Sequence, residues 1–390
     1  MFSVLRISFA QNLVKSNVLG AHLLHPTCTK SKGIGSISTR TLSSVQETSD
    51  KSQDNGRDFK SYFPEIVRQL KGKAKIYDLD EGKHFERVLE YNAQSGKLNR
   101  GRTMVNTYKM IVPKTDLTEE NLKLANYLGW CIELLQGYFL LLDDIMDGSI
   151  TRRGKPCWYK LEDIGLGGIN DGMMLEATLY QVLMENFSHL KCYTKLMELF
   201  QEVVFISILG EHLDLRSAKQ DVLSFTMELY NMLNINKTAW YTYYLPVACA
   251  MYLAGYTDEM AFRRAQKLLL DIGYYFQVQD DYLDVYGDPT VTGKIGTDIQ
   301  DGRCTWFVVT FLKHATDAQK VILKESYGKN DPKCVERVKK LYEEISMLEI
   351  YKKFENDTRK TIMETVEGIS GGLPKDVYYM MMGLLHNRKS

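Results

Sequence analysis

The chain has 390 residues, 44% of them apolar, with 49 basic side chains against 49 acidic ones. A neutral balance leaves no basic excess to neutralise phosphates along a groove, which argues against nucleic acid as a partner. No run of about 18 apolar residues occurs, so no membrane span is expected, and the seven cysteines lack the CxxC spacing of a zinc site or disulfide frame.

Residues 1–56 differ from the rest. No Asp or Glu precedes Glu47, basic residues are spread through the stretch (Arg6, Lys15, Lys30, Lys32, Arg40), and Ser and Thr are frequent. Met1–Ile7 mixes apolar and basic residues at helical spacing. That composition predicts a mitochondrial transit peptide, cut near Arg40–Ser43 and followed by a polar linker; a cytoplasmic protein is the alternative. Residues 57–390 then form the folded domain. From Phe59 onward apolar residues recur at i, i+3, i+4 and i+7, clearest in 119–142, 175–186, 196–215 and 261–284. The 8 prolines are few for this length, and Pro64, Pro113, Pro156, Pro289, Pro332 and Pro374 mark breaks. Strand-like alternation is hardly visible. The expectation is an all-α, single-domain helical bundle around a deep central cavity.

In chain order, the first chemical stretch is Gly96-Lys97-Leu98-Asn99-Arg100-Gly101, two cations between glycines in what reads as a basic turn. Glycine lets a backbone come close to a ligand, and Lys and Arg grip phosphate. Next, Gln136-Gly137-Tyr138-Phe139-Leu140-Leu141-Leu142 is a buried helix pattern ending in Asp143-Asp144-Ile145-Met146-Asp147. Asp143 and Asp147 stack on one helix face, where like charges repel unless a cation lies between them. A hard divalent ion such as Mg²⁺ suits stacked carboxylates when phosphate shares the site. A basic loop with Arg152 and Arg153 follows within a few residues. Lys237-Thr238 then precedes the aromatic run Trp240–Tyr244, and a lysine in apolar company points to an anion. Finally Gln279-Asp280-Asp281-Tyr282-Leu283-Asp284 repeats the stacked pair behind Tyr274-Tyr275-Phe276. Two such clusters in one bundle can face each other across a cavity, each holding metal on one side of an anionic ligand.

From about Phe59 to the C-terminus the chain resembles the short-chain trans-isoprenyl diphosphate synthases, most of all the eukaryotic farnesyl diphosphate synthases. The likeness rests on Asp143–Asp147 with Thr151-Arg152-Arg153-Gly154, and on Asp280–Asp284 with Thr292-Gly293-Lys294-Ile295-Gly296-Thr297-Asp298. It implies the class I isoprenoid synthase fold, a homodimer, and a transferase that joins isopentenyl diphosphate to dimethylallyl or geranyl diphosphate by Mg²⁺-dependent ionisation, condensation and elimination. Asp143, Asp144 and Asp147 would bind two Mg²⁺, and Asp280, with Asp281 and Asp284, a third; Mn²⁺ can substitute. Arg152, Lys237 and Lys294 would touch the allylic diphosphate. Lys97, Arg100, Gln136 and Arg153 would hold isopentenyl diphosphate, with Arg388 closing over it. Thr238 and Gln277 would support the developing cation.

Side chains one turn before Asp143 lie in the path of a growing chain. Tyr138 and Phe139 there form a floor which, by the resemblance, marks a C15 product; C10 is the alternative. The sequence also departs from the family: Ile206-Ser207-Ile208-Leu209-Gly210-Glu211 replaces a polar run, Arg303 stands where lysine is usual, and Asn387-Arg388-Lys389-Ser390 is a weak basic end. The apolar Ile206 and Ile208 keep open a terpene synthase acting on one prenyl diphosphate. Retained Lys97, Arg100, Gln136 and Arg153 favour coupling of two substrates.

Overall fold

The computed structural model describes residues 58–74, 80–288 and 296–386. The expected leader, residues 1–56, lies outside them, as do Lys294 and Arg388. The 3.6-residue periodicity is realised almost throughout: α1 (Phe63–Ala74), α2 (Asp80–Ala93), α3 (Asn99–Ile111), α4 (Glu119–Met146), α5 (Gly168–Phe187) and α6 (Tyr193–Ser217) come first. Among the described residues the strands are β1 (Thr151–Arg152) and β2 (Lys155–Pro156), a small antiparallel hairpin with Thr151 opposite Pro156. Two of the prolines expected to break structure instead open it. Pro64 and Pro332 lie in the first turn of α1 and of α13 (Pro332–Glu344), where the missing N–H would have had no partner anyway.

Helix α4 is the axis of the bundle. Thr118 caps it by accepting from the Asn121 N–H at 3.2 Å, and Glu119 and Glu120 meet the positive end of its dipole. From Ala125 to Tyr138 every residue is buried, the mark of a helix surrounded on all sides. Gly129 lets α3 cross at contact distance: a Cβ on Gly101 would lie 2.8 Å from the Gly129 carbonyl oxygen. The Gly96–Gly101 stretch is therefore only partly a turn. Asn99 already begins α3, and Gly101 serves a helix crossing rather than a ligand.

After α6, helix α7 (Met227–Asn234) widens into a π-helix over Ile235–Tyr244 and narrows again into α8 (Leu245–Leu253). Such widened turns re-aim side chains and recur at functional sites. Helix α6 and helix α9 (Glu259–Tyr286) both press against it at glycines. A Cβ on Gly210 would come within 2.2 Å of the Lys237 amide nitrogen, and one on Gly273 within 2.5 Å of the Ala239 Cβ. One core surrounds α4 and α8. A second, rich in rings, joins Tyr230 and Val278 to α11 (Trp306–His314), α13 and α14 (Met347–Glu367), after the short α10 (Asp298–Asp301) and α12 (Asp317–Ser326). The last described helix is α15 (Lys375–His386). No helix among the described residues is long and apolar enough to cross a membrane.

Candidate active site

The C-terminal turn of α4 carries Asp143, Asp144 and Asp147, and each is engaged by a cation from elsewhere in the chain. Arg152, turned back by the β1–β2 hairpin, reaches Asp143 at 2.9 Å and Asp144 at 2.6 Å. Lys237, presented by the π-helix, meets Asp143 at 3.2 Å, Glu211 at 2.8 Å and Asp214 at 2.7 Å. Arg303, just beyond the second aspartate motif, bridges Asp147 at 2.5 Å and Asp214 at 2.6 Å. Burial alone would push the Asp143 carboxyl up, but Lys237 and Arg152 outweigh it and hold it below the ordinary range. At Asp147 burial and the charge of Asp143 win, and the shift is upward. Glu211 is pushed up to about 7 by burial, then by Asp143 and Asp214, against the pull of Lys237. The anions that account for Lys237 are thus carboxylates of the chain itself.

One oxygen each from Asp143, Asp147 and Glu211 lie within 4.8 Å of one another. Converging carboxylate oxygens are the donor set that hard divalent cations take. The residues present therefore fit a metal of that kind.

The second motif is differently occupied. Asp281 points into the ring-rich core, 4% exposed, where it accepts from the Tyr230 hydroxyl at 2.7 Å, the Trp306 N–H at 2.8 Å and the Gln277 amide at 3.1 Å. Burial pushes its carboxyl up to about 7 against those donors. Asp284 accepts from the backbone N–H groups of Thr297 and Asp298, at 3.2 and 3.1 Å, and so seats the start of α10. Gly296 fits there because it has no side chain: a Cβ would lie 1.9 Å from the Asp284 carbonyl oxygen. Asp280 is half-buried on the same helix. Of the three carboxylates, Asp281 accepts from residues of α7, α9 and α11 and so helps to hold those helices together. Gln277, expected beside the reacting carbons, donates to Asp281.

This metal-ready acidic end, lined by cations on an all-helical bundle, is matched by known proteins. Residues 82–345, more than half of the chain, match the family described as Polyprenyl synthetase. The chain belongs to the polyprenyl synthetase family. It is 38% identical to a farnesyl pyrophosphate synthase of Nezara viridula over 388 residues, covering 99% of this chain and 93% of that one. It is 42% identical to the farnesyl pyrophosphate synthase of Homo sapiens over 350 residues, 88% and 83% of the two chains. A solved structure of T. brucei farnesyl diphosphate synthase complexed with the bisphosphonate BPH-721 superposes with a TM-score of 0.80 at 30% identity, over 85% of this chain and 99% of that one. The protein is a prenyltransferase with a class I isoprenoid synthase fold, and its family is metal-dependent.

Within this polyprenyl synthetase the residues expected at a second diphosphate gather beside α3. Arg100 donates to the Thr242 hydroxyl at 2.8 Å and lies over the Tyr241 ring, its Cζ 4.8 Å from the centroid. Arg153 takes a left-handed backbone, φ 54°, and donates to the Ser95 hydroxyl at 2.8 Å and to the Ser95 carbonyl oxygen. Its guanidinium lies where a Cβ on Gly96 would be, which is what glycine does at that turn. Burial lowers the Arg153 pKa, and Arg100 and Arg152 add to the effect while Glu133 opposes it: cations crowd here, as an anion site requires. Gln136 is buried, and its Oε1 has no hydrogen-bond partner. Lys97 is exposed at the start of α3, and Thr238 is half-buried in the π-helix.

Tyr138 and Phe139 lie ring to ring at 5.1 Å, and Phe139 also meets Tyr241 at 5.1 Å. Ile208 is 44% exposed on α6. The sequence reading gave no role to Glu211, Asp214 or Arg303. Their signal was present in the Glu211–Asp214 spacing on α6 and in Arg303 standing where lysine is usual, but only the helix crossing at Gly210 shows where α6 delivers its carboxylates.

Proposed function

We propose that the protein condenses isopentenyl diphosphate with dimethylallyl and then geranyl diphosphate to give farnesyl diphosphate. The observation that carries this reading is the meeting of Asp143, Asp147, Arg152, Lys237 and Arg303 at the end of α4, one turn beyond the Tyr138–Phe139 ring pair. Asp143 and Asp147, with Asp280 of the second motif, would hold Mg²⁺, three ions in all. When bound, the metal neutralises charge developing on the leaving diphosphate oxygens. Arg152, Lys237 and Arg303, which pair with the carboxylates there, would share that anion where burial strengthens each interaction. Lys237 is held protonated, its pKa well above the ordinary value despite burial, by Asp214, Asp143 and Glu211. Arg100, Arg153, Lys97 and Gln136 would orient the second diphosphate, and Lys294 and Arg388 would add to the two groups. Thr238 and Gln277 would lie beside the allylic carbons, Gln277 after exchanging its bond to Asp281.

Incubation of purified protein with dimethylallyl or geranyl diphosphate, with and without isopentenyl diphosphate, tests the reading by chromatography of the dephosphorylated products. Farnesol appearing only with both substrates is the expected result. Hydrocarbon formed from one substrate alone overturns it in favour of a terpene synthase. If the ring pair is the floor, Tyr138→Ala with Phe139→Ala lengthens the product beyond C15, while an active double variant with unchanged product length places the limit elsewhere.

Phe205, Ile208 and Leu209 form an exposed apolar face on α6, and Met173 and Met184 are exposed on α5. Such faces support assembly as a homodimer. The acid-poor, Ser- and Arg-containing residues 1–56 support delivery to mitochondria, and a fluorescent reporter carrying them is expected there; diffuse signal points to the cytoplasm.

A further inference from the structure

We propose that Glu211 is a further ligand of the divalent metal held by Asp143 and Asp147, so that this seat is built from two helices and not from the α4 motif alone. The inference rests on the metal-dependent reading above. Glu211 lies outside both aspartate motifs, yet one of its oxygens is within 4.8 Å of an oxygen of Asp143 and of Asp147. Its Oε2 meets the Lys237 Nζ at 2.8 Å. Its Oε1 is buried and has no hydrogen-bond partner among the described residues. A carboxylate oxygen shut away from water without a donor is costly, and a hard cation relieves that cost.

A plain counter-ion role for Glu211 explains less. Lys237 already has Asp214 at 2.7 Å and Asp143 at 3.2 Å, so a third carboxylate is not needed to balance one ammonium. Among the described residues, and counted as ionised, the connected network joins five carboxylates (Asp143, Asp144, Asp147, Glu211, Asp214) to three cations (Arg152, Lys237, Arg303). Two formal negative charges remain, the charge of one divalent ion, and Glu211 supplies one of them. Its position is also fixed by the backbone. Gly210 brings α6 against the π-helix so tightly that a Cβ would lie 2.2 Å from the Lys237 nitrogen, and the next residue is held beside the acidic end of α4.

The test uses the full chain and Mn²⁺ alone, then Mn²⁺ with inorganic pyrophosphate, reading free Mn²⁺ by electron paramagnetic resonance. Glu211→Gln keeps the shape and removes the charge, and is expected to weaken Mn²⁺ binding by about ten-fold or more in both conditions. Equal Mn²⁺ affinity in wild type and a folded Gln variant overturns the ligand role, even if the melting temperature changes, and leaves the metal reading of Asp143 and Asp147 standing. A wild-type chain that binds no Mn²⁺ in either condition overturns both. Should the Gln variant lose its helical circular dichroism, Glu211→Asp decides: it keeps the charge but draws the oxygens back by one methylene, so weakened binding supports ligation and unchanged binding overturns it.

Discussion

The two aspartate motifs look alike as letters and behave differently as matter. At the first, the partners of Asp143, Asp144 and Asp147 are long cationic side chains: Arg152, Lys237 and Arg303. Cations on flexible stems can turn from a carboxylate to an incoming diphosphate when metal takes the carboxylate. At the second, Asp281 and Asp284 are met by a tyrosine hydroxyl, an amide and backbone N–H groups, which cannot leave without loosening α7, α10 or α11. Asp280 and Asp284 are half-buried in that motif, and Asp281 is buried. Repetition of a motif therefore does not mean repetition of a role. One copy is a network of ion pairs, and in the other Asp281 and Asp284 tie segments of the fold together.

The comparison breaks most visibly at Asp143. Asp143→Ala is expected to lower kcat/KM by about a thousand-fold, some 4 kcal/mol of transition-state stabilisation, without loss of helical circular dichroism, and chelator should abolish turnover. Full activity in chelator would end the metal reading. Asp281→Ala should do the opposite. Stranding the Tyr230 hydroxyl and the Trp306 N–H is expected to cost about 3 kcal/mol of stability, read by denaturant unfolding, while the folded fraction keeps activity within about ten-fold of wild type. Asp280→Ala sharpens the contrast inside one motif: turnover falls by about a hundred-fold and the unfolding midpoint shifts less than for Asp281→Ala. If Asp280 and Asp281 exchange these outcomes, the division drawn between them is wrong. The smallest effect is expected at Arg303→Lys. One ammonium cannot reproduce the forked bridge between Asp147 and Asp214, so stability should fall by about 1 kcal/mol and the metal concentration for half-maximal rate should rise a few-fold.

Much was legible in the sequence because it is local. The 3.6-residue period and the scarcity of internal proline specify helices, and i, i+4 spacing alone stacks Asp143 on Asp147. The helix windows read at 119–142, 175–186, 196–215 and 261–284 all fall inside observed helices. The family was legible as well, since both motifs and their neighbours occur in order, and the matching relatives bear it out. What the sequence could not give is which carboxylate faces what. Asp281 and Asp284 share one short stretch of α9, but their surroundings come from different segments distant in the chain: Tyr230 of α7 and Trp306 of α11 at Asp281, Thr297 at the start of α10 at Asp284. Glu211 and Arg303 entered the site in the same way, through the crossing at Gly210 and the turn after α10, contacts between residues far apart in sequence that no local period encodes. Helix and motif are set by neighbours along the chain. The partners of each charge, and so its chemistry, are set by which helices pack together.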